Sequence, residues 1–123
     1  MAGLLEPYRG RYVNAESASN KLDVNAILAG CSAVEAEAGN IDEISNNISK
    51  SASDLTAEAL SINGETVASD VEDTCSQIME VQSSIYNAVS SIRGAAINAY
   101  NNIQAQMNND AISRDNAEIR RRS

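Results

Sequence analysis

Between Asp23 and Ile62 large apolar residues recur at seven-residue steps: Ile27, Val34, Ile41, Ile48, Leu55 and Ile62. A companion line at the complementary three- and four-residue spacing carries Val24, Cys31, Ala38, Ser45, Ala52 and Ala59. Alternating steps of three and four are the signature of a helix with one packed seam. A second run repeats the pattern with Val71, Ile78, Ile85, Ile92 and Ala99 beside Ala68, Cys75, Gln82, Val89, Ala96 and Ile103. One line in each run is large and branched and the other mostly small, which suits close packing of two helices. Ile48 and Ile85 are accordingly expected inside the seam, where a charge would not be tolerated.

The two registers break beside Asn63-Gly64. Glycine adopts the left-handed conformation that ends a helix, and Ser69-Asp-Val-Glu72 reads as a capping box that starts the next. The pattern therefore predicts an all-α fold of two long antiparallel helices, over 23–62 and 66–112, forming a helical hairpin with its tip at 62–68. Residues equidistant from that tip should face each other, which puts Cys31 near Ala96 and Cys75 near Ala52. The two thiols would then lie far beyond disulfide reach. Residues 1–22, with Gly3, Pro7 and Gly10 and no period, predict an irregular N-terminal arm. Residues 114–123 read as a basic tail.

The predicted helices differ on their flanks. Helix 1 is mostly polar there, with Glu35, Glu37, Asp42, Ser51 and Glu58 against Leu28 and Ile44. Helix 2 carries Val67, Val81, Ala88 and Ala95 on one side of its seam and Met79, Tyr86, Tyr100 and Met107 on the other. That is more apolar surface than one neighbouring helix covers, so a further hairpin completing a four-helix bundle is the natural remedy. Met79, Tyr86, Val81 and Ala88 are the predicted partner interface.

Composition narrows the chemistry. The chain has 123 residues, four Tyr, no Trp and no Phe, which favours a thin bundle over a thick globular core. Residues 23–113 hold two basic and thirteen acidic groups, within a net charge of −8. That acidic middle repels phosphate, so nucleic acid is not an expected partner. With no His in the sequence, the usual general base and the commonest metal ligand are missing. The carboxylate pairs read as a solvated helix face, so no enzymatic activity, catalytic residue, cofactor, metal or small-molecule substrate is expected. Cys31 and Cys75 fit neither a metal pair nor a disulfide framework. Only Leu4 and Leu5 precede Glu6 and Pro7, short of the apolar core of a secretory leader, and no run approaches the roughly 20 apolar residues of a membrane span. A protein made in the cytoplasm is expected, exported, if at all, without a cleaved leader.

An acidic helical hairpin of this size with an X-x-Gly tip resembles the WXG/Esx class of type VII secretion proteins of Gram-positive bacteria and their small accessory partners. The tripeptide here is Ile62-Asn63-Gly64, with Ile in place of the family's Trp. Tyr100-Asn-Asn-Ile-Gln104 stands where the family carries its Tyr-x-x-x-Asp/Glu export element, with Gln replacing the acid. The resemblance implies a secreted partner or targeting protein that pairs with another helical hairpin, with the helical leader of an LXG-type toxin, or with a second copy of itself, and presents Tyr100 and Gln104 on an exposed end of helix 2. Two other classes share such heptads: a signalling or scaffold coiled coil of the chemoreceptor kind, and a chaperone or filament subunit of another secretion apparatus.

Overall fold

The computed structural model describes residues 3–58 and 64–123, the side chains of 55–58 and 64–68 excepted. Among them are a short 3-10 helix, η1 (Ala18–Asn20), and two long helices, α1 (Val24–Glu58) and α2 (Gly64–Arg122), with no strand. The two long helices pack on each other, so the fold is the predicted helical hairpin. Two compact units divide the chain, one of residues 31–90 and one of residues 1–30 with 91–123.

In the 31–90 unit the innermost line is the small one. Cys31, Ala38 and Ser45 of α1 and Cys75, Gln82 and Val89 of α2 are all buried. Gln82 Nε2 donates to the Ala38 carbonyl (2.8 Å), and the Cys75 thiol donates to the Ser45 carbonyl (3.7 Å). Side chains this small let one backbone approach the other closely enough for such contacts. The large branched line is displaced to the side of the contact: Val34 and Ile48 are exposed, and Ile41, Ile78 and Ile85 half-buried. Ile48 and Ile85 therefore do not occupy the centre of the seam, contrary to the expectation from their size.

The register also differs from the expected one. Cys75 faces Ser45 and Ser49, where a tip on Gly64 places it near Ala52, a displacement of one heptad. A seven-residue repeat is nearly degenerate to such a slip, and the Gln82 and Cys75 hydrogen bonds are particular to the register adopted. Cys31 and Cys75 are both buried and free. Gly64 is already helical and Ser69 lies inside α2 rather than capping it. The expected tip residues Ile62 and Asn63 lie outside the described residues.

The other unit is organised by the arm. Asp23 Oδ1 accepts from the Ala26 N–H (3.1 Å) and caps the start of α1. Val24, Ala18, Ala96 and Tyr100 form a small core, with Leu4, Leu22, Ile27, Leu28, Ile103 and Met107 packed against it. Residues 3–18 run along the later turns of α2, which do not end near residue 112 but continue through the residues read as a basic tail to Arg122. Arg120, Arg121 and Arg122 occupy that last turn, where positive charge complements the helix dipole. Glu118 pairs with both Arg121 and Arg122.

Ser45 Oγ is buried with no hydrogen-bond partner among the described residues, and an unsatisfied buried hydroxyl costs about 1–3 kcal/mol. Ser45→Ala should therefore raise the midpoint of thermal unfolding. Ala38→Leu should lower stability by about 1–3 kcal/mol through overpacking, and circular-dichroism melts of the two variants check both signs.

Candidate partner-binding face

In an α-helix each residue turns about 100° from the last, so the positions flanking the Cys31-Ala38-Ser45 and Cys75-Gln82-Val89 lines sort onto two opposite faces of the 31–90 unit. Residues three after or one before a seam position share the first face: Val34, Ile41, Ile44 and Ile48 from α1, with Ile78, Val81, Ile85 and Ala88 from α2. A cleft of about 260 Å³ lined by Ile48, Val71, Thr74, Cys75, Ile78 and Asp70 shows the two helices meeting along it. This face holds the most exposed large apolar residues of the unit: Val81 at 56%, Ile44 at 55%, Val34 at 46% and Ile48 at 41%.

Residues four after a seam position share the second face, which carries Glu35, Asp42 and Ser49 opposite Met79 and Tyr86. The open cleft there brings together Ser49, Glu72 and Met79. A Cβ added to Gly39 would lie 3.7 Å from the Tyr86 hydroxyl, an ordinary contact distance, so the Tyr86 phenol reaches α1 beside residue 39. Tyr86 and Met79 are 37% and 36% exposed. The second face is therefore mixed, whereas the first is mainly apolar, with Glu37 and Asp70 beside its isoleucines and valines.

The predicted interface residues consequently divide. Val81 and exposed Ala88 belong to the apolar face, whereas Met79 and Tyr86 stand on the mixed one, so the four do not make one surface. The missed residues are those of α1, above all Ile44 and Ile48. In the sequence Ile44 is, with Leu28, an exception on a polar helix and Ile48 is seam; only the register joins them to Val81 and Ile78.

Tyr100 and Gln104, expected on an exposed extension, are 5% and 0% exposed. The Tyr100 hydroxyl hydrogen-bonds Ser17 Oγ (2.9 Å), while Gln104 Oε1 accepts from the Ala18 N–H (2.7 Å) and its Nε2 donates to the Glu16 carbonyl (3.0 Å). The arm covers both, because α2 outruns α1 and the N-terminal residues take the place of a missing helix.

Asp115 anchors the arm further along. Its Oδ2 accepts from the Arg11 N–H (3.0 Å) and the Tyr8 hydroxyl (2.9 Å), and its Oδ1 from the Tyr12 N–H (2.6 Å). Arg122 lies over the Tyr12 ring at 4.3 Å, a cation–π contact. The Arg11 amide foremost, then the Tyr12 amide, the Tyr8 hydroxyl and the Arg11 charge hold the Asp115 carboxyl below its usual range against the opposing effect of burial. The same hydrogen bond, with burial and the carboxylate charge, pushes the Tyr8 phenol up.

Among the described residues no group of three or more His, Cys, Asp or Glu is placed to hold a metal ion, and no helix is long and apolar enough to cross a membrane. No family model, curated protein or solved structure matches the chain.

The two shifts bound a pH window for the arm. Asp115 is depressed from an ordinary value of 3.8, so its contribution is present above that pH and is lost as pH falls through the folded value. Tyr8 is raised from 10.0, so its contribution is complete below pH 10.0 and is lost as pH rises through the folded value. Amide exchange at Arg11 and Tyr12 should thus be slowest relative to free peptide between these limits. On acidification their protection should fall before helical circular dichroism does, and Asp115→Asn should flatten the acid limb.

Proposed function

We propose that the chain is a non-enzymatic helical partner protein, which completes a four-helix bundle with another helical hairpin through its apolar face. The observation that supports this reading is the gathering of Val34, Ile44, Ile48 and Val81, each more than 40% exposed, on one side of the 31–90 unit. A mainly apolar strip built from two helices suits the apolar faces of two more helices; Glu35, Asp42 and Glu72 are on the other side, while Glu37 and Asp70 border the strip. The setting proposed for this pairing is type VII secretion, in the manner of the WXG/Esx-like proteins that the sequence resembles. There the chain accompanies the helical leader of a secreted toxin and leaves the cytoplasm with it. The buried positions of Tyr100 and Gln104 separate this reading from the export element: binding rests on the 31–90 unit alone.

Co-expression with the products of neighbouring genes, followed by co-purification and sedimentation, tests the proposal. Val81→Asp and Ile44→Asp should each weaken the complex by at least about 2 kcal/mol, as loss of a central apolar contact does, with the helical signal of the free protein unchanged. Tyr86→Ala and Met79→Ala should have smaller effects. A stable monomer that binds no neighbouring gene product, or a complex indifferent to Val81→Asp and Ile44→Asp, would sink the reading. A homodimer disrupted by the same two changes would make a second copy the partner.

A further inference from the structure

Three side-chain amides on α2 hold the arm in the same way. Asn101 Oδ1 accepts from the Leu5 N–H (2.7 Å) and its Nδ2 donates to the Gly3 carbonyl (3.2 Å). Asn108 Oδ1 accepts from the Tyr8 N–H (2.7 Å) and its Nδ2 donates to the Glu6 carbonyl (2.9 Å). Gln104 makes the equivalent pair with the Ala18 N–H and the Glu16 carbonyl. Each carboxamide thus takes the N–H of one residue and the C=O of the residue two before it. Asp115 adds the N–H groups of Arg11 and Tyr12. This stripe recognises extended main chain, and a main chain presents the same groups whichever molecule it belongs to.

The sequence demands of such a site can be read from its resident. Pro7 has no N–H, and it falls between Leu5 and Tyr8, the two amides that are used. Tyr8 is specified by its hydroxyl on Asp115. Gly10 is specified by space, since a Cβ there would lie 2.5 Å from Val13 Cγ2, 3.1 Å from Asp115 Cγ and 3.1 Å from Tyr8 Cε1. Most other arm side chains point away or are only half covered, and Leu5 is 42% and Tyr12 36% exposed. Residues 5–12 are therefore held mainly by hydrogen bonds, which contribute little net stability because water can replace them, against the entropy of ordering an extended segment, while Leu4 and Ala18 on either side of them pack into the core. The receiving groups, by contrast, sit at steps of three, four and seven along one regular helix, so their spacing is fixed in advance.

We propose that the Asn101–Gln104–Asn108–Asp115 stripe of α2 is a binding site for an extended segment of another protein carrying Tyr-x-Gly, with the chain's own arm as a displaceable resident ligand. The incoming segment places its Tyr on Asp115 and its Gly against the Asp115 carboxyl carbon, and needs a free N–H wherever the stripe accepts one. This site is independent of the apolar face of the 31–90 unit, so either can fail alone.

The test is fluorescence anisotropy with a labelled peptide of residues 3–20 as the probe, titrated with full-length protein. A resident arm lowers apparent affinity by the fraction of molecules in which it is open. Gly10→Val in the full-length chain, which crowds its own arm but leaves α2 intact, should therefore bind the probe at least about tenfold more tightly than the parent. Adding Asp115→Asn or Asn108→Ala to that chain should remove the gain, and a probe carrying Gly10→Val should not bind. If Gly10→Val loses its helical signal, Tyr8→Phe, which removes only the hydroxyl bond to Asp115, takes its place with a smaller gain in the same direction. Absence of probe binding to a folded Gly10→Val or Tyr8→Phe chain, or binding indifferent to Asp115 and Asn108, would overturn the proposal. So would a concentration-dependent dimer of the parent that Gly10→Val abolishes, since the stripe would then serve arm exchange between copies.

Discussion

The close approach of α1 and α2 along a line of small and polar residues is the constraint from which the other features of the 31–90 unit follow. With Ala38 against Gln82 and Ser45 against Cys75, the centre of the contact is taken by the small and polar line. The branched residues that supply most of the unit's apolar area are pushed to one side, and a pair of helices has nothing with which to cover that side. Burial of apolar surface is the main favourable contribution to folding, so a fold that leaves Ile44, Ile48 and Val81 in water is only partly compensated. The apolar face is thus a direct consequence of a seam centred on the small and polar line instead of on the branched one.

The second unit meets a related difficulty by a different route. Here α2 continues beyond the start of α1, and the strip that a partner helix would cover is covered by extended chain. Extended backbone cannot satisfy its own N–H and C=O groups as a helix does. The α2 surface beneath it is accordingly polar, with Asn101, Gln104, Asn108 and Asp115 along a stripe that would otherwise be apolar. The small core of Ala18, Val24, Ala96 and Tyr100 marks where helix-on-helix packing gives way to this arrangement.

The heptads made the two helices and their antiparallel packing legible in the sequence, because a period of three and four residues is a property of one helix and needs no tertiary information. The register was not legible. A seven-residue repeat fits nearly as well when slid by one repeat, and choosing between the fits needs the particular contacts of Gln82 and Cys75. Size also misled: Ile48 and Ile85 looked central because large residues usually fill cores, whereas backbone proximity decided the matter here. Half of the candidate face, Val81 and Ala88, could be read from α2 alone. Its other half on α1 could not, since Ile44 has no meaning until the helix opposite it is known. The helical end of α2 was hidden because Arg120, Arg121 and Arg122 have the composition of a solvated tail, and the polar stripe beneath the arm had no apolar period to reveal it.

The arm binds residues that lie far from it along the chain, with separations of 96 between Leu5 and Asn101 and 107 between Tyr8 and Asp115. Translation delivers the arm before the 31–90 unit and its receiving turns after it, and domains generally fold as synthesis proceeds. The 31–90 hairpin can therefore assemble while the arm is still without a seat. A nascent chain stopped between Ser90 and Asp115 has a complete apolar face and an arm without its Asp115 anchor, so full closure of the arm becomes a chemical signal that elongation has passed that point.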